Sequence, residues 1–126
     1  MRLSRAFLVG SAVLLSGATY ASPPRLVESR PADDGIASRP ASIALTFDQQ
    51  VTSAEAGYDI LMVTMPGMTM EKPMRMDVAS SAVEGDRKTI TAALKAPLPP
   101  GTYEVTWRIK SATGEPGTGI LRFGVR

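Results

Sequence analysis

Four segments of this chain alternate between apolar side chains and polar or small ones, and a two-residue period admits strands while excluding helices. Ile43, Leu45 and Phe47 alternate with Ser42, Ala44 and Thr46, and Ile90, Ala92 and Leu94 with Thr89, Thr91 and Ala93. Tyr103, Val105, Trp107 and Ile109 alternate with Thr102, Glu104, Thr106 and Arg108; Leu121, Phe123 and Val125 alternate with Arg122 and Gly124. Each pattern fits a strand with one face in a core and one in water. Leu26-Val27 and Tyr58 to Val63 are further strand candidates, the second apolar on both faces. Pro31-Ala32-Asp33-Asp34-Gly35, Glu84-Gly85-Asp86 and Gly114-Glu115-Pro116-Gly117 supply turn chemistry between them. A single helical turn is expected at Thr52, with Glu55 three residues on as in a capping box. No longer helical period occurs, so the fold class is all-β, a sandwich. Tyr103, just inside a strand after Leu98-Pro99-Pro100-Gly101-Thr102, fits the tyrosine corner of a Greek-key sandwich.

The first 21 residues stand apart. Arg2 and Arg5 precede an apolar run from Ala6 to Leu15, and Ser16-Gly17-Ala18-Thr19-Tyr20-Ala21 is rich in small residues. That order is a secretory signal peptide, cleaved after Ala21 or, alternatively, Ala18. The run is far below the ~20 residues of a membrane span. The expected organisation is a leader at 1–21 and one soluble, exported domain at 22–126, with no direct membrane insertion. The leader also accounts for the formal charge of +2, since it holds two arginines and no acid. The remaining side chains balance, and the support for a nucleic-acid or anionic-membrane partner disappears.

The chain has no Cys and no His. Disulfides, thiol nucleophiles, Ser-His-Asp triads and the usual imidazole metal sites are therefore excluded, and an enzyme is not expected. What remains is thioether sulfur. Of the 7 Met, all but the initiator fall in one short stretch: Met62, Met65, Met68, Met70, Met74 and Met76. Pro66-Gly67 breaks the segment, and Thr69, Glu71, Lys72 and Arg75 interleave polar groups, as in a strand entering an exposed loop. Three uses fit. Methionine fills irregular core gaps, and methionine-rich surfaces dock partners. Thioethers are also soft donors suited to Cu(I), and by the same logic to Ag(I). They lose no proton on binding, so metal does not compete with acid. In an ideal strand Met62 and Met65 face opposite sides, so both join one site only if a bulge or the approach to Pro66 rotates the chain. Met76 stands last in the order of candidate ligands.

These residues carry a resemblance. Leu26-Val27-Glu28-Ser29-Arg30-Pro31, Leu45-Thr46-Phe47, Leu61-Met62-Val63-Thr64-Met65-Pro66-Gly67-Met68, Pro100-Gly101-Thr102-Tyr103-Glu104-Val105-Thr106-Trp107 and Ser111-Ala112-Thr113-Gly114-Glu115-Pro116 together resemble the periplasmic copper-resistance CopC/PcoC family over residues 23–126. The resemblance implies a Greek-key, Ig-like or cupredoxin-like β-sandwich of about seven strands. It implies a copper carrier that binds Cu(I) on the methionine-rich loop. The partner it implies is an inner-membrane copper importer or another periplasmic copper protein. By motif match the Cu(I) ligands are Met62, Met65, Met68 and Met74. Met70 stands where the family has a loop His, giving an all-thioether set of Met62, Met65, Met68, Met70 and Met74. The loop is also one residue longer before Met74. The family's Cu(II) ligands correspond to Pro23, Thr113 and Glu115, none of them His, so no high-affinity Cu(II) site is expected. The competing reading is a metal-free Ig-like module whose methionine loop docks a protein. Asp33-Asp34 fits a solvated turn better than a Ca²⁺ site, and Trp107 fits the core.

Overall fold

The computed structural model describes residues 22–126; the leader assigned to 1–21 lies outside them. Nine strands follow one another: β1 Leu26–Arg30, β2 Gly35–Ala37, β3 Ser42–Phe47, β4 Val51–Met65, β5 Met68–Met76, β6 Val78–Val83, β7 Thr89–Leu94, β8 Gly101–Ser111 and β9 Pro116–Val125. They form two sheets, ordered β1-β3-β7-β6 and β2-β9-β8-β4-β5. All pairings are antiparallel except β2 with β9. The all-β sandwich is as expected, with nine strands in place of about seven. The additional elements are at sheet edges, where one side of the backbone is unpaired and alternation is not enforced by burial.

The two-residue period decides which side chains enter the core. Ile43, Leu45 and Phe47 of β3 and Ile90, Ala92 and Leu94 of β7 face Tyr103, Val105, Trp107 and Ile109 of β8 and Leu121, Phe123 and Val125 of β9, all buried. Aromatic pairs tie the layers internally. Phe47 meets Trp107 edge-on at 5.0 Å, and Tyr103 stacks on Phe123 at 5.6 Å. The Tyr103 hydroxyl donates to the Pro99 carbonyl at 2.5 Å, which makes the tyrosine corner. The Leu98 amide donates to Pro40 at 3.0 Å and seats a buried side chain beneath that corner.

The helical turn expected at Thr52 is absent. Thr52 pairs with Lys110 and Gly57 with Arg108, so β4 carries three more residues than β8 over that interval. The Thr52 hydroxyl accepts from the Ala54 amide at 3.2 Å, two residues on, where a capping box would bond to the third. Glu55 takes a positive φ of 59° and pairs with Lys110 instead of closing a capping box. The segment is a wide bulge in a continuing strand.

Trp107 owes its place to a missing side chain opposite. Gly119 is its direct cross-strand partner, and a Cβ there would lie 2.4 Å from the indole Cζ2. Gly119→Ala is therefore expected to displace the indole and cost about 1–3 kcal/mol, as overpacking does. Urea unfolding followed by Trp107 fluorescence measures this; an unchanged midpoint would show that the indole moves freely.

Candidate metal centre

The methionine stretch is a hairpin and not a loop. β4 runs to Met65, Pro66 and Gly67 turn the chain, and β5 starts at Met68. Proline at the first central position presets φ, and Gly67 at the second has φ 74°, which a side chain resists. The turn sets Met65 directly opposite Met68, and farther down Met62 pairs with Met74 and Ile60 with Met76. Directly opposed residues share a face, with Cβ atoms about 4.5–5.5 Å apart. Each pair of flexible thioether chains can thus converge on one ion.

Two irregularities bring these pairs to the same side. Met62 pairs with Tyr103 but Thr64 pairs with Thr102, so two steps on β4 match one on β8. The extra residue resets the alternation. Met62 shares the inner face with Tyr103, and Thr64 shares the outer face with Thr102, to which its hydroxyl is hydrogen-bonded. Met65 then returns to the inner side. Gly101 makes this possible: at φ 155° it lies against the bulged end of β4, and a Cβ there would sit 2.5 Å from the Thr64 carbonyl oxygen. On the other edge, Thr64 pairs with Thr69 while Met62 pairs with Met74, which leaves three surplus residues on β5. This second bulge absorbs Met70, Glu71, Lys72 and Pro73. Proline, lacking an amide hydrogen, is tolerated at such a place.

Met62, Met65, Met68, Met74 and Met76 thus share one face of the β4–β5 ribbon by register, and Met70 packs against the core from the bulge. Coverage differs along the face. Met62 is 2% exposed, with its Cγ and Cε against Gly101, whereas Met65 is 37%, Met74 49% and Met68 63% exposed. Met70 and Met76 are half-buried. The β4 side of the ribbon is covered at Met62, while the turn and the edge strand β5 are left open. Met65 also lines a depression of about 310 Å³ with Ile36, Pro66, Gly101 and Val125. Sequence parity alone set Met62 and Met65 on opposite sides. The one local signal for the change was Pro100-Gly101 opposite them.

On the outer face an ion-pair bridge spans three strands. Asp59 of β4 accepts from Arg108 of β8 at 3.0 Å and pairs with Arg75 of β5 at 3.2 Å. Arg75 lies between Met74 and Met76, so the bridge pins the edge strand whose opposite face carries the sulfurs. Burial pushes the Tyr58 and Tyr103 phenols up to about 12, so both remain protonated at neutral pH. Among the described residues no group of three or more carboxylates gathers to hold a metal.

The residues that the sequence resemblance aligns with Cu(II) ligands, Pro23, Thr113 and Glu115, lie towards the other end of β8, roughly 30 Å from the hairpin tip at strand rise. Pro23 lines a cavity of about 780 Å³ with Leu26, Trp107, Ile109 and Pro116. Thr113 is hydrogen-bonded to the Ser111 hydroxyl at 2.9 Å, and the Glu115 amide donates to the same oxygen at 3.0 Å. Both are engaged in closing the β8–β9 turn.

Residues 26–126 match the CopC domain model. Copper resistance protein C of Pseudomonas syringae pv. tomato is 36% identical over 125 residues, covering 99% of this chain and 97% of that one. Two crystal structures of PcoC from Escherichia coli superpose well. One, of the selenomethionine form of a copper resistance protein, has TM-score 0.75 and 34% identity, covering 82% of this chain and all of that one. The other, described as a methionine-rich copper resistance protein, has TM-score 0.73 and 31% identity, covering 83% and all of that chain.

The exposure gradient separates packing from surface. Met62→Ala is expected to cost about 2–5 kcal/mol, as for a buried methionine, and Met68→Ala less than about 0.5 kcal/mol. Chemical denaturation of the two variants measures the difference; equal losses would mean that Met68 is packed in solution.

Proposed function

Because the chain belongs to the CopC family of copper-resistance proteins, we propose that it carries copper as Cu(I) on the β4–β5 methionine ribbon and passes it to a partner. Proteins of this family bind copper in the periplasm and are not enzymes. In keeping with that, residues 1–21 are assigned to a cleaved export leader and 22–126 to the carrier domain. The observation that carries the reading is the bulged register of β4 and β5, which turns Met62, Met65, Met68 and Met74 to one side of a ribbon that is open at its turn and along its edge strand. The ligand set proposed is Met65, Met68, Met70 and Met74, with Met62 joining from beneath.

The chemistry follows from the donors. Thioether sulfur is soft and neutral, so it holds cuprous ion without binding hard cations. Neutral donors leave the metal its positive charge, and an incoming sulfur or imidazole can replace them one at a time. Met68, the most exposed, is the first to be exchanged. The recipient is an inner-membrane copper importer or another copper protein of the same compartment. A high-affinity Cu(II) site is not part of the proposal, because Pro23, Thr113 and Glu115 supply neither imidazole nor an amine–imidazole pair.

Anaerobic competition with a coloured Cu(I) chelator tests the proposal. The expected outcome is sub-micromolar affinity that is lost in the Met65, Met68, Met70 and Met74→Leu variant. Leucine nearly conserves volume, so that variant should fold. A wild-type chain that ignores Cu(I) would favour the docking module, and a quadruple variant that unfolds would favour packing. The same titration between about pH 5.5 and 8 is expected to be flat, since no donor binds a proton there. A tenfold weakening per unit of acidification would identify a titrating ligand instead. Added Cu(II) is expected to give only weak adventitious EPR signals; a nitrogen-ligated species at the amino end would contradict the assignment of Pro23.

A further inference from the structure

We propose that Met65, Met68 and Met74 form an oxidative modification site, at which peroxide-class oxidants convert thioether to sulfoxide in the folded protein and thereby switch off soft-cation binding. The switching half rests on the ribbon being a metal site; the modification half does not. Sulfoxidation follows the accessibility of the sulfur. Met65 and Met68 at the turn and Met74 on the edge strand are 37–63% exposed, whereas Met62, directly opposite Met74, is 2% exposed. The chain has no Cys, its one Trp is buried at position 107, and Met70 and Met76 are half-buried, more covered than Met65, Met68 and Met74. Damage is thus channelled to the turn and the edge strand, and the order of attack is Met68, then Met74, then Met65, then the half-buried Met70 and Met76, with Met62 last.

The step balances with hydrogen peroxide as oxidant. A sulfur lone pair attacks one peroxide oxygen, the S–O bond forms and the O–O bond breaks. Sulfur loses two electrons, the proton on the attacked oxygen passes to the second oxygen, and that oxygen leaves as water. The product sulfoxide is polar and presents oxygen, a harder donor than the sulfur it replaces. Its extra oxygen at the tip enters solvent and not the core, so the sandwich persists. The reverse reaction needs two electrons and two protons and releases water, the chemistry of methionine sulfoxide reductases.

The test treats metal-free wild-type protein with hydrogen peroxide, counts added oxygens by intact mass and places them by fragment-ion mapping. Silver(I) then serves as the probe, because it does not redox-cycle with peroxide. Met68 is expected to oxidise at least about tenfold faster than Met62, with Trp107 fluorescence and near-UV circular dichroism unchanged after three oxygens. Met68→Leu should remove the fastest phase alone. Equal rates at Met62 and Met68, or loss of the folded spectrum with the first oxygens, would overturn the modification site. Silver(I) affinity is expected to fall at least about 100-fold on sulfoxidation and to return after reductase treatment of both sulfoxide epimers. Equal silver binding before and after oxidation would overturn the switch. Absence of silver and copper binding to the unmodified protein, with the order of oxidation intact, would overturn the carrier reading and the switch while leaving the modification site in place.

Discussion

The antiparallel pairing of β4 with β8 is the constraint on which both the core and the ribbon depend. It places Tyr58, Ile60 and Met62 opposite Trp107, Val105 and Tyr103, building the inner face of the five-stranded sheet. It also contains the extra residue between Met62 and Thr64 that returns Met65 to that face. Without the close approach that Gly101 permits, the alternation would run on unbroken. The thioethers would then divide between the two sides of the sheet. A packing requirement at one glycine therefore governs which donors can act together.

The inner face serves two ends with one kind of atom. At its base Met62 is a core side chain, held by dispersion and by removal from water, worth roughly 1.5–3 kcal/mol for full burial. At the turn, Met65 and Met68, and on the edge strand Met74, which lies directly opposite Met62, make fewer such contacts and keep their lone pairs available. The transition from packing to coordination runs from β4 to the edge strand β5 and to the turn, with Met70 and Met76 of β5 half-covered. Asp59, bridging Arg75 and Arg108 on the outer face, helps hold the edge strand in register where burial no longer does. Such exposed pairs contribute little individually, yet an edge strand has few other restraints.

Much of the sandwich was legible because burial imposes alternation. β3, β7, β8 and β9 follow the pattern of Ile43 to Phe47, Ile90 to Leu94, Tyr103 to Ile109 and Leu121 to Val125. The edges were not legible in the same way. β6, Val-Ala-Ser-Ser-Ala-Val, has small uncharged residues on both sides, and β5 is interrupted by Glu71-Lys72-Pro73. Edge strands answer to hydrogen-bond register more than to burial, and register leaves no periodic trace in the sequence. Thr52 and Glu55 have the spacing of a helix cap, but Glu55 adopts a positive φ and pairs with Lys110 across the strands. The identity of the candidate donors was plain from the residue types alone. Their common orientation was not, because it depends on a bulge opposite Gly101.

The two ends of the ribbon differ in how they tolerate change of length. At Pro66-Gly67 a two-residue turn sets the pairing, and one residue more or less would slide β5 by a step and reverse every side chain on it. The bulge at Met70 to Pro73 is already out of register with β4, so residues can be added or removed there while Met62 still faces Met74. Insertions and deletions in this segment should therefore accumulate between Met70 and Met74 and spare the turn. Related chains can differ in loop length and in the group at the Met70 position while retaining the pairs on either side.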